Sequence, residues 1–399
     1  LGPTGWLEPT MTLPPDRFKG FRVGLEGRAE AARLRRVERY VPEPGTPFVV
    51  HEGRRLLSFC SNDYLGLATD PGVVAAAVRV TESHGTGSGA SRLVVGSFDI
   101  HDDLERELAA HTGRPAALLF NAGFQANASI IPAVTSEDGF VVCDSKAHAS
   151  ILQGCRLSRA TFERFPHNDV EQLDSLLAAH GEGPTLVVTE SLFSMDGDRA
   201  PLAEICEVAD RHGALLMVDD AHATGVFGDR GEGLAAAYPR IDLLLGTFGK
   251  AFGSAGAFVA SSELLRSQLV NFCSGVVFST APAPPAVGAA RAALEAIRSG
   301  TIDHECFHGF VARAHERLRE AGFDTSPSDS QIIPIRLGDD RAALACESFL
   351  RSRGILAIAI RPPTVPEGTA RLRISLTHRH TGQHLEDLVE ALRDYRGVS

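Results

Sequence analysis

Between about residues 100 and 260 the chain alternates two hydrophobic patterns. Short unbroken apolar runs are AALLF (116–120), GFVVC (139–143), TLVVTE (185–190), ALLMVDD (214–220), DLLLGTF (242–248) and GAFVA (256–260). Between them lie HDDLERELAAH, NDVEQLDSLLAAHG and PLAEICEVADRHG, where apolar residues recur every three or four positions. The first pattern predicts strands buried on both faces. The second predicts amphipathic helices, each opened by a capping residue or Pro and closed by Gly or polar residues. Their alternation predicts an α/β fold: a large, mostly parallel sheet with helices on both faces. Upstream, LEGRAEAARLRRVERY (25–40) predicts a charged helix, and the apolar runs around HEGRRLL predict a small hairpin. After the proline-rich STAPAPPAVG (279–288) the chain turns helical, then reads β-α-β-β-α with QIIPIRL, GILAIAI and ARLRISL as strands. The expected division is an N-terminal arm, helix and hairpin (1–60), a large domain (61–285) and a small α+β C-terminal domain (286–399). The opening LGPTGWLEPTM is left out of the fold argument, and no internal repeat or low-complexity segment is present.

In open parallel sheets, ligands bind outside the carboxyl ends of the strands. The segments that follow the apolar runs are NAGF, DSKAHAS, ESLFSMDGD, DDAHATG and GTFGKAFG. Solvated turns explain any one of these polar clusters, but five at one rim predict an active site. Composition narrows its ligand. A formal charge of −11 over 399 residues argues against nucleic acid or an anionic membrane as partner. No apolar run is long enough to span a bilayer, and no signal peptide is evident. Seven scattered cysteines without a C-x-x-C read as reduced thiols, so the expected setting is the cytoplasm.

Lys250 stands among glycines in LLLGTFGKAFGSAGAFV (243–259), a context that suggests phosphate binding. A P-loop needs glycine five positions before Gly249 and a hydroxyl after the lysine; Leu244 and Ala251 stand there instead. HGTGSGASR (84–92) resembles a dinucleotide fingerprint but follows a helical pattern, and is expected to be a flexible turn near the site. Asp219, Asp220 and His222 lack the further ligands of a zinc site, so no metal is expected. Asp219 ends an otherwise apolar strand, and a buried carboxylate needs a positive partner. With His222 three residues on and Lys250 on the next strand-loop, the set matches pyridoxal phosphate (PLP). Asp219 would pair with the pyridine nitrogen, His222 with the phenolic oxygen, and Lys250 would carry the cofactor covalently. The phosphate would sit on the backbone N–H groups of AGF (122–124) at a helix start, with Ser194 and Thr247. The rival from another class is a doubly wound nucleotide-binding protein without catalysis.

SNDYLGL (61–67), DSKAHASI (144–151), SLFSMDGDRAPL (191–202), DDAHATGVFG (219–228) and TFGKAFGSAG (247–256) resemble, in order, the signature blocks of the α-oxoamine synthases. These are fold-type I, aspartate aminotransferase-like PLP enzymes, and the resemblance runs from about residue 25 to the C-terminus. It implies a PLP-dependent C-acyltransferase that joins a small amino acid to an acyl thioester. It also implies a homodimer with shared active sites. Lys250, Asp219 and His222 keep the roles given above, and His148 would stack on the ring and touch substrate. Gly123, Phe124, Ser194 and Thr247 would hold the phosphate, with Ser279 and Thr280 added from a second subunit. Arg373 would clamp the amino-acid carboxylate; Arg371 is the alternative, the two being read as facing opposite ways so that only one can serve. Asn62 would assist, Glu190 would support the cofactor or a proton transfer, and Thr364 and Arg35 would contact substrate, Arg35 at the acyl thioester. IRPPTVPEGTARLRISL (360–376) resembles the branch that uses L-alanine and a pimeloyl thioester of CoA or acyl carrier protein. Ala223 stands where that block commonly has glycine, and the branches making 2-amino-3-oxobutyrate or 5-aminolevulinate from glycine are the alternatives.

Overall fold

The apolar runs form strands in the computed structural model, which describes residues 17–181 and 183–398. The opening segment set aside above therefore lies outside the described residues. In chain order the strands are β1 (Val41–Pro42), β2 (Phe48–His51), β3 (Arg54–Ser58), β4 (Ala116–Phe120), β5 (Phe140–Asp144), β6 (Thr161–Phe165) and β7 (Thr185–Glu190). They continue with β8 (Leu215–Asp219), β9 (Leu243–Thr247), β10 (Ala257–Ser261), β11 (Ile332–Gly338), β12 (Ile355–Leu356), β13 (Ile358–Ile360) and β14 (Ala370–Ser375).

Seven of them make the central sheet, in the order β4-β10-β9-β8-β7-β5-β6. All its pairings are parallel except those of β10, which runs against both neighbours. Alternate residues of each strand enter different cores. Val142, Val187, Leu216 and Leu244 join one buried cluster. Cys143, Val188, Met217 and Leu245 join the other. Burial on both faces is why these strands read as continuous apolar runs. β6 escaped the pattern for the opposite reason: it is an edge strand, mostly exposed, and its TFERF carries two charges.

Two other expectations change. The helix expected over 25–40 covers Lys19–Glu30 instead, buries no residue, and ends before Ala32 in the left-handed region at φ 56°. RLRRVERY then runs without helix because its side chains are held by distant partners, Arg33 by Asp340 and Glu367. Such tertiary ion pairing overrides local helix propensity. GILAIAI divides in two: β12 pairs parallel with β3 of the hairpin, while β13 pairs antiparallel with β14 in a three-stranded sheet with β11. The N-terminal hairpin is thereby sewn to the C-terminal part of the chain. Among the described residues no helix is long and apolar enough to cross a membrane.

Candidate active site

The carboxyl ends of the parallel strands supply the site. β7 ends at Glu190, β8 at Asp219 and β9 at Thr247, and Glu190 stands directly opposite Asp219 in the ladder. Here a cavity of about 360 Å³ opens, a size suited to a small cofactor and substrate. Its walls gather Asn62, Gly123, Phe124, His148, Glu190 and Ser194 with Asp219, His222, Thr247, Lys250 and Arg373. A larger hollow of about 600 Å³ lies between the helices Pro71–His84 and Pro284–Arg298. Two of its three arginines, Arg291 and Arg298, are already paired with glutamates, so chemistry and not size selects the smaller cavity.

Asp219 is buried and receives Ala221 N–H at 3.0 Å and Asn127 Nδ2 at 2.7 Å. Asn127 also donates to Ser150 Oγ at 3.0 Å, and Ser150 Oγ lies 2.7 Å from His148 Nδ1. Since Nδ1 also accepts from Ser150 N–H, the imidazole proton falls to Nε2. A continuous chain therefore runs from Asp219 to His148. Burial lowers the His148 pKa, with Asp219 opposing, so the ring is neutral. Asn127 was missed in the sequence because it sits inside a helix, one turn past the rim segment NAGF. Its signal was an amide, one of two with Gln125, on the mostly apolar helix Gly123–Ala133, and of the two only Asn127 is buried.

His222 is fixed from behind by Tyr64, whose hydroxyl is 2.7 Å from Nδ1. Burial drives its pKa well below the ordinary range, so it too is neutral. Tyr64 lies within SNDYLGL, but its partner is 158 residues away and no local pattern reveals the pairing.

Lys250 follows β9 and no described residue hydrogen-bonds its Nζ. Burial lowers its pKa to about 8, against the attraction of Asp219 and Glu190. Burial, then the nearby Asp219, pushes Glu190 well above the carboxylate range, and its Oε1 accepts from His148 N–H at 2.6 Å.

Arg373 Nε donates to Ser194 O at 2.6 Å, and Nη1 donates to Asn62 Oδ1 at 3.0 Å and Ser375 Oγ at 2.7 Å. Nη2 reaches Tyr64 OH at 3.3 Å. Of five guanidinium N–H groups, four are thus engaged and one faces no described partner. The reading of Arg371 and Arg373 as facing opposite ways is corrected. Residues two apart on a strand share a face, and both side chains reach the loop 194–196. What separates them is charge: Arg371 is buried against Asp196, which Lys146 and Arg336 also approach, whereas Arg373 meets only neutral groups. With Arg373 as the expected clamp for an amino-acid carboxylate, Arg373→Ala should raise the amino-acid requirement about 10- to 150-fold, the cost of one charge-assisted contact. Arg371→Ala should lower the melting temperature and leave the amino-acid KM nearly unchanged. Thermal melts and amino-acid titrations of both variants check this; equal effects on KM would contradict it.

The remaining expected residues lie outside this cavity. Arg35 Nη2 donates to Thr364 Oγ1 at 2.7 Å, and both line an adjoining hollow of about 430 Å³ that shares Ile360 with the catalytic one. Thr280 bridges Ser91, while Asn121 donates to Ser279 Oγ and Thr280 O. The segment 84–92 thus packs on 279–282 (Ser88 Oγ donates to Pro282 O) and is not among the residues that line this cavity. Its glycines Gly85 and Gly89 take positive φ, which suits a turn.

The donor set fits PLP. The helix beginning at Gly123 has no side-chain cap, which leaves first-turn N–H groups for an anion. Thr247 and Ser194 add hydroxyls, Asp219 a fixed carboxylate and Lys250 an amine of lowered pKa. The aminotransferase class I and II family description matches residues 54–392. The chain belongs to this family. An 8-amino-7-oxononanoate synthase of Anaeromyxobacter sp. (strain Fw109-5) is 48% identical over 368 residues, 92% of this chain and 93% of that one. The serine palmitoyltransferase of Sphingomonas wittichii is 30% identical with a TM-score of 0.89, covering 97% of this chain and 98% of the other. A structure of SPT with PLP has the same score and identity, covering 97% and 99%. The fold is that of the fold-type I PLP transferases, and PLP is the cofactor for which this aminotransferase-family site is built.

Proposed function

We propose that the protein condenses L-alanine with a pimeloyl thioester, of CoA or acyl carrier protein, to give 8-amino-7-oxononanoate, carbon dioxide and free thiol, a step of biotin synthesis. The observation that carries the reading is the pairing of the rim donor set with 48% identity across nearly the whole chain to a synthase of that name. In the reaction the alanine α-proton leaves, a bond forms between the α-carbon and the thioester carbonyl carbon, and the C–S bond breaks with its pair on sulfur. The α-carboxylate is then lost as carbon dioxide, and a proton returns to the α-carbon. PLP, when bound, supplies a carbonyl that captures the amino group and a ring that takes up the electron pair left on the α-carbon.

The chain's residues do the rest. Gly123, Phe124, Ser194 and Thr247 hold the phosphate, and Asp219 keeps the ring nitrogen protonated, its charge fixed by Asn127 and Ala221. His222, neutral and steadied by Tyr64, bonds the phenolic oxygen. Lys250 anchors the cofactor and, once free, has an amine able to take and return the α-proton near neutral pH. Arg373 offers its unengaged N–H to the alanine carboxylate, with Asn62 alongside. His148, carrying its proton on Nε2, donates to the acyl oxygen as the carbon–carbon bond forms. The acyl chain passes Ile360 toward Arg35 and Thr364. A homodimer in which Ser279 and Thr280 complete the neighbouring site, acting in the cytoplasm, belongs to the same proposal. The test is which amino acid and thioester pair releases thiol fastest.

A further inference from the structure

We propose that His167 is a positioning residue: a positively charged clasp between Asp144 and Asp198 that sets the two rim loops carrying His148 and Ser194. The proposal rests on the reading of those two residues as substrate and cofactor contacts. His167 follows β6, and its side chain is 16% exposed, between two carboxylates that are nearly sealed from solvent. Nδ1 lies 3.0 Å and 3.1 Å from the two oxygens of Asp144, and Nε2 lies 2.7 Å from Asp198 Oδ2. An ionised carboxylate only accepts, so both ring nitrogens donate and the ring is an imidazolium.

The ring is locked in place. Asn168 takes φ +58° and donates its backbone N–H to Asp144 Oδ2 at 2.9 Å and its amide to Arg199 O at 3.1 Å. Phe193 meets the His167 ring edge-on at 4.4 Å. Each carboxylate belongs to a loop of the site. Asp144 Oδ1 also receives Lys146 N–H at 2.7 Å, which fixes the turn into His148. Asp198 O receives Phe193 N–H at 2.9 Å, which closes the turn that presents Ser194. Without the ring two buried carboxylates would face each other, and both turns would loosen.

The other charges on the flanking loops are engaged elsewhere: Lys146 and β14's Arg371 with Asp196, and Arg199 with Asp329. Burial works against the imidazolium, but the hydrogen bonds and charges of Asp144 and Asp198 outweigh it and raise the pKa from 6.5 to about 9. A cation with a raised folded pKa stabilises fully below its ordinary value, and the gain is lost as pH rises through about 9.

The experiment follows PLP dissociation and melting temperature of the holoenzyme, from about pH 7 to 10.5, in the parent, His167→Gln and Asp198→Asn. In the parent both should weaken through a break near pH 9. Asp198→Asn keeps an acceptor but removes one negative charge, so its break should move at least about one pH unit lower. His167→Gln should lack the break and bind PLP about tenfold more weakly at neutral pH, with unchanged circular dichroism. The same break in His167→Gln, or an unmoved break in Asp198→Asn, would overturn the proposal. If His167→Gln does not fold, the shift in Asp198→Asn decides alone. If the parent binds no PLP, the proposed function fails, while the break in melting temperature still tests the clasp.

Discussion

Lys250→Ala is expected to abolish turnover while the protein remains folded. The residue sits in a loop after β9, has no hydrogen bond to lose among the described residues, and is not part of either apolar core. The fold is held by strands buried on both faces, where each large aliphatic side chain contributes about 1.5–3 kcal/mol. Turnover depends on the amine twice, as covalent anchor and as proton carrier. Proton transfer alone is worth about 10²–10⁴ in rate, so the combined loss should exceed about 10⁴. Borohydride treatment followed by peptide mass analysis should add the cofactor mass to the Lys250 peptide of the parent and to no peptide of the variant. Circular dichroism should not distinguish the two. Near-parental turnover in the variant would remove the basis for the cofactor assignment.

Asp219→Asn should be the next most damaging change, with kcat lowered about 10²–10³, the scale of losing one preorganised electrostatic partner. The substitution preserves shape, but Asp219 accepts Ala221 N–H on Oδ1 and Asn127 Nδ2 on Oδ2, and asparagine has one oxygen; with that oxygen toward Asn127 the chain of hydrogen bonds to His148 persists and the Ala221 contact is given up. What disappears is the negative charge that holds the ring nitrogen protonated. Because Glu190 is pushed toward its neutral form partly by Asp219, the same change should make Glu190 easier to ionise. Stopped-flow rates with saturating alanine and verified cofactor content check the prediction. An unchanged kcat at full cofactor occupancy would show that another group serves the ring nitrogen.

The sequence made the rim legible because a parallel sheet writes its active site in a fixed place. Glu190, Asp219 and Thr247 each end an apolar run, and that position alone brings them together. Lys250 and His148 follow such ends by a few residues. The supporting groups were not legible in the same way. Asn127 and Tyr64 act through partners 92 and 158 residues away, distances over which no local periodicity speaks. His167 follows β6, the one strand of the sheet without an apolar run. Arg371 and Arg373 were misjudged by strand parity, which the period of two should have settled from the sequence alone. The division of GILAIAI between two sheets depends on β3, some three hundred residues upstream.

The measurement that bears most directly on the account is kcat/KM for a series of acyl thioesters at saturating alanine, repeated with glycine and the best donor, with released thiol as readout. Each methylene in an apolar pocket discriminates by only about 1–3 kcal/mol, so donors one carbon shorter or longer than pimeloyl should remain usable. Acetyl, five carbons shorter and without the distal carboxylate, should be poor. Alanine with a pimeloyl thioester is the expected best pair, whether on CoA or acyl carrier protein. Glycine with acetyl-CoA or succinyl-CoA as the best pair would contradict it.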